Sequence, residues 1–206
     1  MLRSKATPES PPMFASELLD GFSRTPFFVV AILFVPIVLG MVAMGIHVGG
    51  VGPLGAVGLF FGGLVTWTLT EYWLHRTLFH WEPEASWGPR FHFLLHGVHH
   101  HWPKDRLRLV MPPTVNLPLT VLFGSLFWLV LGPRVWFFHA GFSLGYMTYD
   151  LMHYYLHHGH PKAHLLRKLQ GHHMSHHFNK AYKDKRFGVS SPIWDWVFHT
   201  NSPAQP

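Results

Sequence analysis

Nineteen histidines stand among 206 residues, and ten of them fall into four short patterns. His75 and His80 form HX4H; His96, His99 and His100 form HX2HH; His153 and His157 form HX3H; His173, His176 and His177 repeat HX2HH. Residues three and four apart share one face of an α-helix. Each HX2HH helix is therefore expected to aim three imidazoles at one point, and the HX3H helix two. At about 100° per residue, positions five apart diverge. His80 is therefore expected where its helix ends or bends, ahead of Glu82 and Pro83. Neutral imidazole is the commonest metal-binding side chain and suits zinc, iron, copper and nickel. Ten such ligands are too many for one ion and suit two, with roughly five nitrogens each. No catalytic residue is expected beyond the metal ligands. The chain has no cysteine, which excludes disulfide scaffolds, iron–sulfur clusters, a haem thiolate and cysteine-bound zinc.

The other nine histidines read differently. His47, His139, His160 and His164 are expected at surfaces or interfaces. His92, His101, His158 and His172 adjoin the clusters but fall off the shared faces, and His199 lies outside the patterns. A metal-bound histidine usually donates its second N–H to a carboxylate or carbonyl. Glu71 lies four residues before His75, and Asp150 three before His153, so these two acids are candidate outer partners. The alternative for each is a charge at a helix end. Asp195, between Trp194 and Trp196, reads as part of an interfacial anchoring helix.

The elements that carry these clusters are apolar. Charged residues make up only 13% of the chain, against about 25% in an ordinary soluble domain. Residues 26–46 contain no charge, a run long enough to cross about 30 Å of hydrocarbon. Further apolar stretches occupy 54–70, 114–132 and 135–149, the last continuing as a helix through His157. The fold class expected is an all-α integral membrane protein. It has four transmembrane helices in two hairpins, capped by cytoplasmic helices that carry a histidine-rich dimetal site. Fifteen of the 16 Lys and Arg residues fall outside the two hairpin turns, Arg134 being the exception. By the positive-inside rule both termini and the histidine clusters are cytoplasmic. This topology also accounts for the basic excess, so no nucleic-acid partner is expected. Residues 1–25 read as a loose cytoplasmic segment with an amphipathic turn at Phe14–Phe22 and no secretory signal, and 26–206 as the membrane-embedded domain. A metal transporter is disfavoured because the clusters lie beyond spans that carry almost no polar ligands.

Five stretches carry a family resemblance: EYWLHRTLFHW (71–81), HFLLHGVHHHWPKDRLRLVMPP (92–113), YDLMHYYLHHGHP (149–161), GHHMSHHFNK (171–180) and FGVSSPIWDWVFHT (187–200). In order and content the chain resembles the fatty acid hydroxylase superfamily, and its flanking motifs are most similar to those of the fatty acid (sphingolipid) 2-hydroxylases. The resemblance implies a di-iron monooxygenase. Such an enzyme hydroxylates C2 of a long-chain acyl lipid with O2 and two electrons, using the ten clustered histidines as ligands. Zinc can replace iron in a purified protein, since imidazole sites hold it more tightly. Members of the family often carry an N-terminal cytochrome b5 domain. The roughly 25 residues before the first span leave no room for one, so a separate cytochrome b5-like or ferredoxin-like donor is expected. A bacterial inner membrane fits better than the endoplasmic reticulum. The alternatives are a sterol or lipid desaturase or hydroxylase of the same superfamily, and a non-enzymatic metal-binding membrane protein.

Overall fold

The structure is a computed structural model that describes residues 10–203. Expectations for 1–9 and 204–206 lie outside the described residues. Three helical runs are long and apolar enough to cross a membrane: Phe28–Val48, Pro53–Phe79 and Pro113–His158. The first is helix α2 (Phe28–Val48), with Pro36 inside it. The second contains α3 (Pro53–Trp73) and a π-helical turn, Leu74–Phe79. The third is divided by a 3-10 turn, Gly132–Arg134, into α6 (Pro113–Leu131) and α7 (Val135–His158). Gly132 makes that reversal with φ 55°, a region that favours glycine.

Short helices flank these runs. They are α1 (Glu17–Phe22), α4 (Gly88–His92), α5 (Val98–His101), α8 (His164–Phe178) and α9 (Ile193–Val197). A second π-helical turn, Phe93–Gly97, joins α4 to α5.

Helix α7 is the axis of the structure. Its aromatic and small residues are buried on nearly every side, whereas α2, α3 and α6 leave Ile32, Leu39, Leu54, Phe61, Val121 and Leu129 exposed. An apolar outer surface of this kind suits lipid, not water. Helix α2 runs antiparallel to α7: Phe27 stacks on Tyr154 at 4.4 Å and Phe34 meets Tyr146 at 4.8 Å. Helix α6 also runs antiparallel, pairing Phe127 with Phe138 and Phe123 with Phe142. Helix α3 runs parallel to α7, with Trp67 against Tyr146 and Tyr149. The C-terminal ends of α3 and α7 therefore meet at one end of the molecule, and both carry histidines there.

Glycine permits the α3–α7 contact. A Cβ at Gly63 would lie 1.8 Å from the Phe138 carbonyl oxygen, and one at Gly141 would lie 1.8 Å from that of Phe60. Small residues of this kind let apolar helices approach backbone to backbone. Gly141→Leu is expected to cost more than the roughly 1–3 kcal/mol of ordinary overpacking, because backbone must move. In detergent it should lose the single folded peak in size-exclusion chromatography. Gly58→Leu, which meets nothing within 4 Å, should keep it.

The N-terminal segment is tied down from Ser10 onward, contrary to the expectation of a loose terminus. Asp20 accepts hydrogen bonds from the Met13 backbone, from Arg24 at 2.9 Å and from Arg108 at 2.7 Å, while Ser10 donates to Asp105 at 2.5 Å. These partners lie up to 95 residues apart, and only the folded chain unites them. The amphipathic turn expected at Phe14–Phe22 is present in part as α1.

Candidate metal centre

The ten clustered histidines converge from four stretches of sequence into two groups of five. One comprises His75, His80, His96, His100 and His176; the other comprises His99, His153, His157, His173 and His177. Within each group, one ring nitrogen per residue lies within 4.8 Å of all the others. In the first group the Nε2 atoms of His75 and His96 are 3.0 Å apart, those of His96 and His100 2.9 Å, and those of His80 and His176 3.2 Å. In the second, His99 faces His153 and His177 at 3.0 Å each, and His157 faces His173 at 2.8 Å.

The partition corrects the expected geometry of HX2HH. Three imidazoles do not aim at one point. His96 and His100, four apart, enter the first group, while His99 turns to the second. The other HX2HH segment does the reverse: His173 and His177 enter the second group and His176 the first. Consecutive residues point about 100° apart, so each His-His pair straddles the two groups. One residue from each HX2HH helix thus crosses over, and His100 stacks on His177 at 4.2 Å.

His80 stands where its helix ends, as expected, and the form of that ending brings it to His75. The π-helical turn Leu74–Phe79 bonds i to i+5, and this wider turn brings positions five apart onto one face. His80 caps that turn. The second π turn ends at Gly97, beside His96. Single π turns of this kind recur at functional sites.

The donor set fits two metal ions. Burial pushes His96, His99 and His173 well below the usual histidine range, with neighbouring imidazoles adding to the effect, so their rings are neutral. Burial likewise lowers His80 to about 3. His75 Nδ1 lies 2.6 Å from the Phe187 carbonyl and His176 Nδ1 lies 2.7 Å from that of Lys185. A carbonyl only accepts, so both rings carry their proton on Nδ1 and present an Nε2 lone pair inward. Metal–imidazole bonds of about 2.1 Å place opposed nitrogens about 4.2 Å apart, within the spread of each group. Several inward lone pairs with too few protons between them call for a cation.

The candidate outer acids are engaged elsewhere. Glu71 accepts from the backbone N–H of Val189 at 2.6 Å and of Ser190 at 2.9 Å, and from the Ser190 hydroxyl. Asp150 accepts from Tyr146 at 2.7 Å and from the Met111 backbone at 3.2 Å. Neither hydrogen-bonds a histidine among the described residues. The carbonyls of Lys185 and Phe187 fill that role for His176 and His75. Backbone acceptors carry no side-chain signature, so spacing could not reveal them.

Asp195 also departs from expectation. It is fully buried, although its neighbours Ile193, Trp196 and Val197 are exposed as an interfacial helix requires. The signal for it was present: an acid inside an apolar tract needs buried donors. Of the remaining histidines, His139 is buried against α6 beside Phe127, not at a surface, while His47, His160 and His164 are exposed.

An apolar cavity of about 450 Å³ adjoins both groups. His96 of the first group and His99 and His153 of the second line it, together with Phe79, Val98 and Tyr149. Leu19, Phe22, Leu95 and Val115 line it too and are also exposed, so they form an apolar rim at its mouth. The volume lies within the roughly 300–1,000 Å³ typical of small-molecule sites.

The sequence profile of the fatty acid hydroxylase family matches residues 60–200. A dihydroceramide fatty acyl 2-hydroxylase of Arabidopsis thaliana is 39% identical over 93% of this chain and 80% of its own length. The ceramide very long chain fatty acid hydroxylase of Saccharomyces cerevisiae is 41% identical, and this chain spans 49% of its length. The human fatty acid 2-hydroxylase is 36% identical, with 57% of its length spanned. Among solved structures, the hydroxylase domain visible in full-length Scs7p superposes with a TM-score of 0.80 at 38% identity, covering 91% of this chain and 72% of that one.

Proposed function

Since this chain belongs to the fatty acid hydroxylase family, we propose that it is a membrane-bound 2-hydroxylase that places a hydroxyl on C2 of a long-chain acyl lipid. One observation carries the reading: two groups of five imidazoles stand side by side, and an apolar cavity touches both. His75, His80, His96, His100 and His176 would hold one iron ion, and His99, His153, His157, His173 and His177 the other. Two irons supply, when bound, the redox chemistry by which O2, two electrons and two protons convert a C–H bond to C–OH with release of water.

The chain's own residues supply position and dryness. Phe79, Val98 and Tyr149 line the cavity with apolar surface and exclude water from the reacting carbon. Asp150 fixes one wall by binding the Met111 backbone and Tyr146. The apolar rim lets the distal chain remain in lipid. With α2, α3, α6 and α7 crossing the membrane, the distribution of Lys and Arg would put the histidines at the cytoplasmic boundary. That boundary is where C2, one carbon from the polar head, resides when the tail lies in the bilayer. The electrons would come from a separate cytochrome b5-like or ferredoxin-like carrier.

Purified protein loaded with iron and given O2, a reductant and a long-chain ceramide or fatty acid is expected to yield the 2-hydroxy product by mass spectrometry. A desaturated product, or hydroxyl at another carbon, would overturn this reading in favour of a different enzyme of the superfamily. Many loosely bound ions and no product would favour metal storage.

A further inference from the structure

We propose that Asp195 is a positioning residue for the first histidine group alone, acting through the backbone carbonyls of Lys185 and Phe187. The inference rests on the reading that the ten histidines hold two ions.

Asp195 accepts from the backbone N–H of Phe187 at 2.8 Å, from that of Gly188 at 2.9 Å and from the Thr200 hydroxyl at 2.7 Å, and it faces His172 Nε2 at 3.1 Å. The carboxylate thus grips the strip 187–188 from behind. The front of the same strip faces the histidines. The Phe187 carbonyl receives the His75 Nδ1–H, and the Lys185 carbonyl receives the His176 Nδ1–H. Both histidines belong to the first group.

Arg186, between the two carbonyls, has φ 60°, a left-handed conformation uncommon for a residue with a side chain. Its backbone N–H donates to the Thr200 carbonyl at 2.9 Å, and its guanidinium donates to the Asn201 carbonyl and to Ser175 Oγ. A strained residue persists only where its surroundings hold it. Here they hold it so that the carbonyls on both sides meet histidines. Glu71 secures the far end of the strip through Val189 and Ser190. Gly188 is needed as well, since a Cβ there would lie 2.1 Å from the Ser191 carbonyl oxygen and 2.9 Å from Asp195 Oδ2.

The support is one-sided. In the second group, His173 Nδ1 and His177 Nδ1 are buried without a hydrogen-bond partner among the described residues, and nothing from 185–190 bonds to that group. A general packing role for Asp195 would weaken both ions equally. The geometry instead predicts that only one is weakened.

Asp195→Asn keeps the shape but turns an amide N–H toward a backbone N–H. Outer partners of metal-bound histidines typically contribute about 10- to 100-fold in affinity. After dialysis against a graded chelator, the iron-loaded wild type is expected to hold two ions per chain, and the variant one. The ion that remains should survive addition of His176→Ala and be lost on addition of His99→Ala. Glu71→Gln should weaken the same ion, and it decides the question if Asp195→Asn does not survive purification. Asp20→Asn, a buried carboxylate outside this strip, should keep both ions. Retention of both ions by Asp195→Asn and Glu71→Gln, or simultaneous loss of both, would overturn the inference while leaving the two-ion reading intact. A wild type that never holds two ions would overturn both.

Discussion

Alanine at His99 is expected to abolish hydroxylation, lowering it by more than the roughly 100-fold upper range for outer partners, and to remove the ion of the second group. His176→Ala should have the same effect on activity but remove the ion of the first group. The two residues sit at equivalent positions in their HX2HH segments, and each is the one that crosses to the other group. Either truncation removes one of five nitrogens from a buried group and opens a void in its place. Metal content by mass spectrometry, measured beside product formation, separates lost ligation from misfolding. His139→Ala is the control. His139 is as buried as these ligands but packs in α7 against Phe127 and Gly124, outside both groups. That variant should lose stability, as large-to-small changes in a core do, while keeping two ions and its activity. If His139→Ala loses metal as His99→Ala does, the grouping itself is wrong.

The sequence displayed the members of this centre better than its wiring. Ten histidines could be picked out because i, i+3 and i+4 spacing is a helix-face signal, and the same ten gather in space. Their division into two groups was not legible as written. Spacings of three and four both mark one helix face, whereas here the i, i+4 pairs stay together and the i+3 residue departs. The α-helical angle correctly put His80 at a helix end, but the π turn that brings it to His75 has no residue signature comparable to a glycine or proline break. The apolar runs were legible to within a few residues, because uncharged length is a direct readout of membrane-spanning capacity. The N-terminal network was not. Asp20, Arg24, Asp105 and Arg108 look like ordinary surface charges until the fold pairs them. Asp195 is half legible: an acid inside an apolar tract calls for buried donors, but its outward-facing neighbours on α9 point to the interface.

Tryptophan at Leu95 or Val115 is expected to slow hydroxylation of long acyl chains while both ions stay bound. These residues belong to the rim of the cavity, 37% and 42% exposed, and neither is a ligand, although Leu95 directly precedes His96. A larger ring there narrows the mouth without touching the floor formed by His96, His99 and His153. Overpacking costs about 1–3 kcal/mol, which corresponds to roughly 5- to 150-fold in a rate. Because the obstruction acts where the chain enters, the loss should fall mainly on kcat/KM. It should shrink for acyl chains short enough to lie wholly inside the cavity, since only a longer chain must leave its tail in the mouth. Leu129→Trp tests whether bulk on the apolar surface is enough by itself. Leu129 is 81% exposed near the opposite end of α6 and does not line the cavity. Its variant should match the parent protein. Equal losses in all three variants would point to disturbed packing in the membrane. Unchanged kcat/KM in the two rim variants would mean that the acyl chain reaches the histidines by another route.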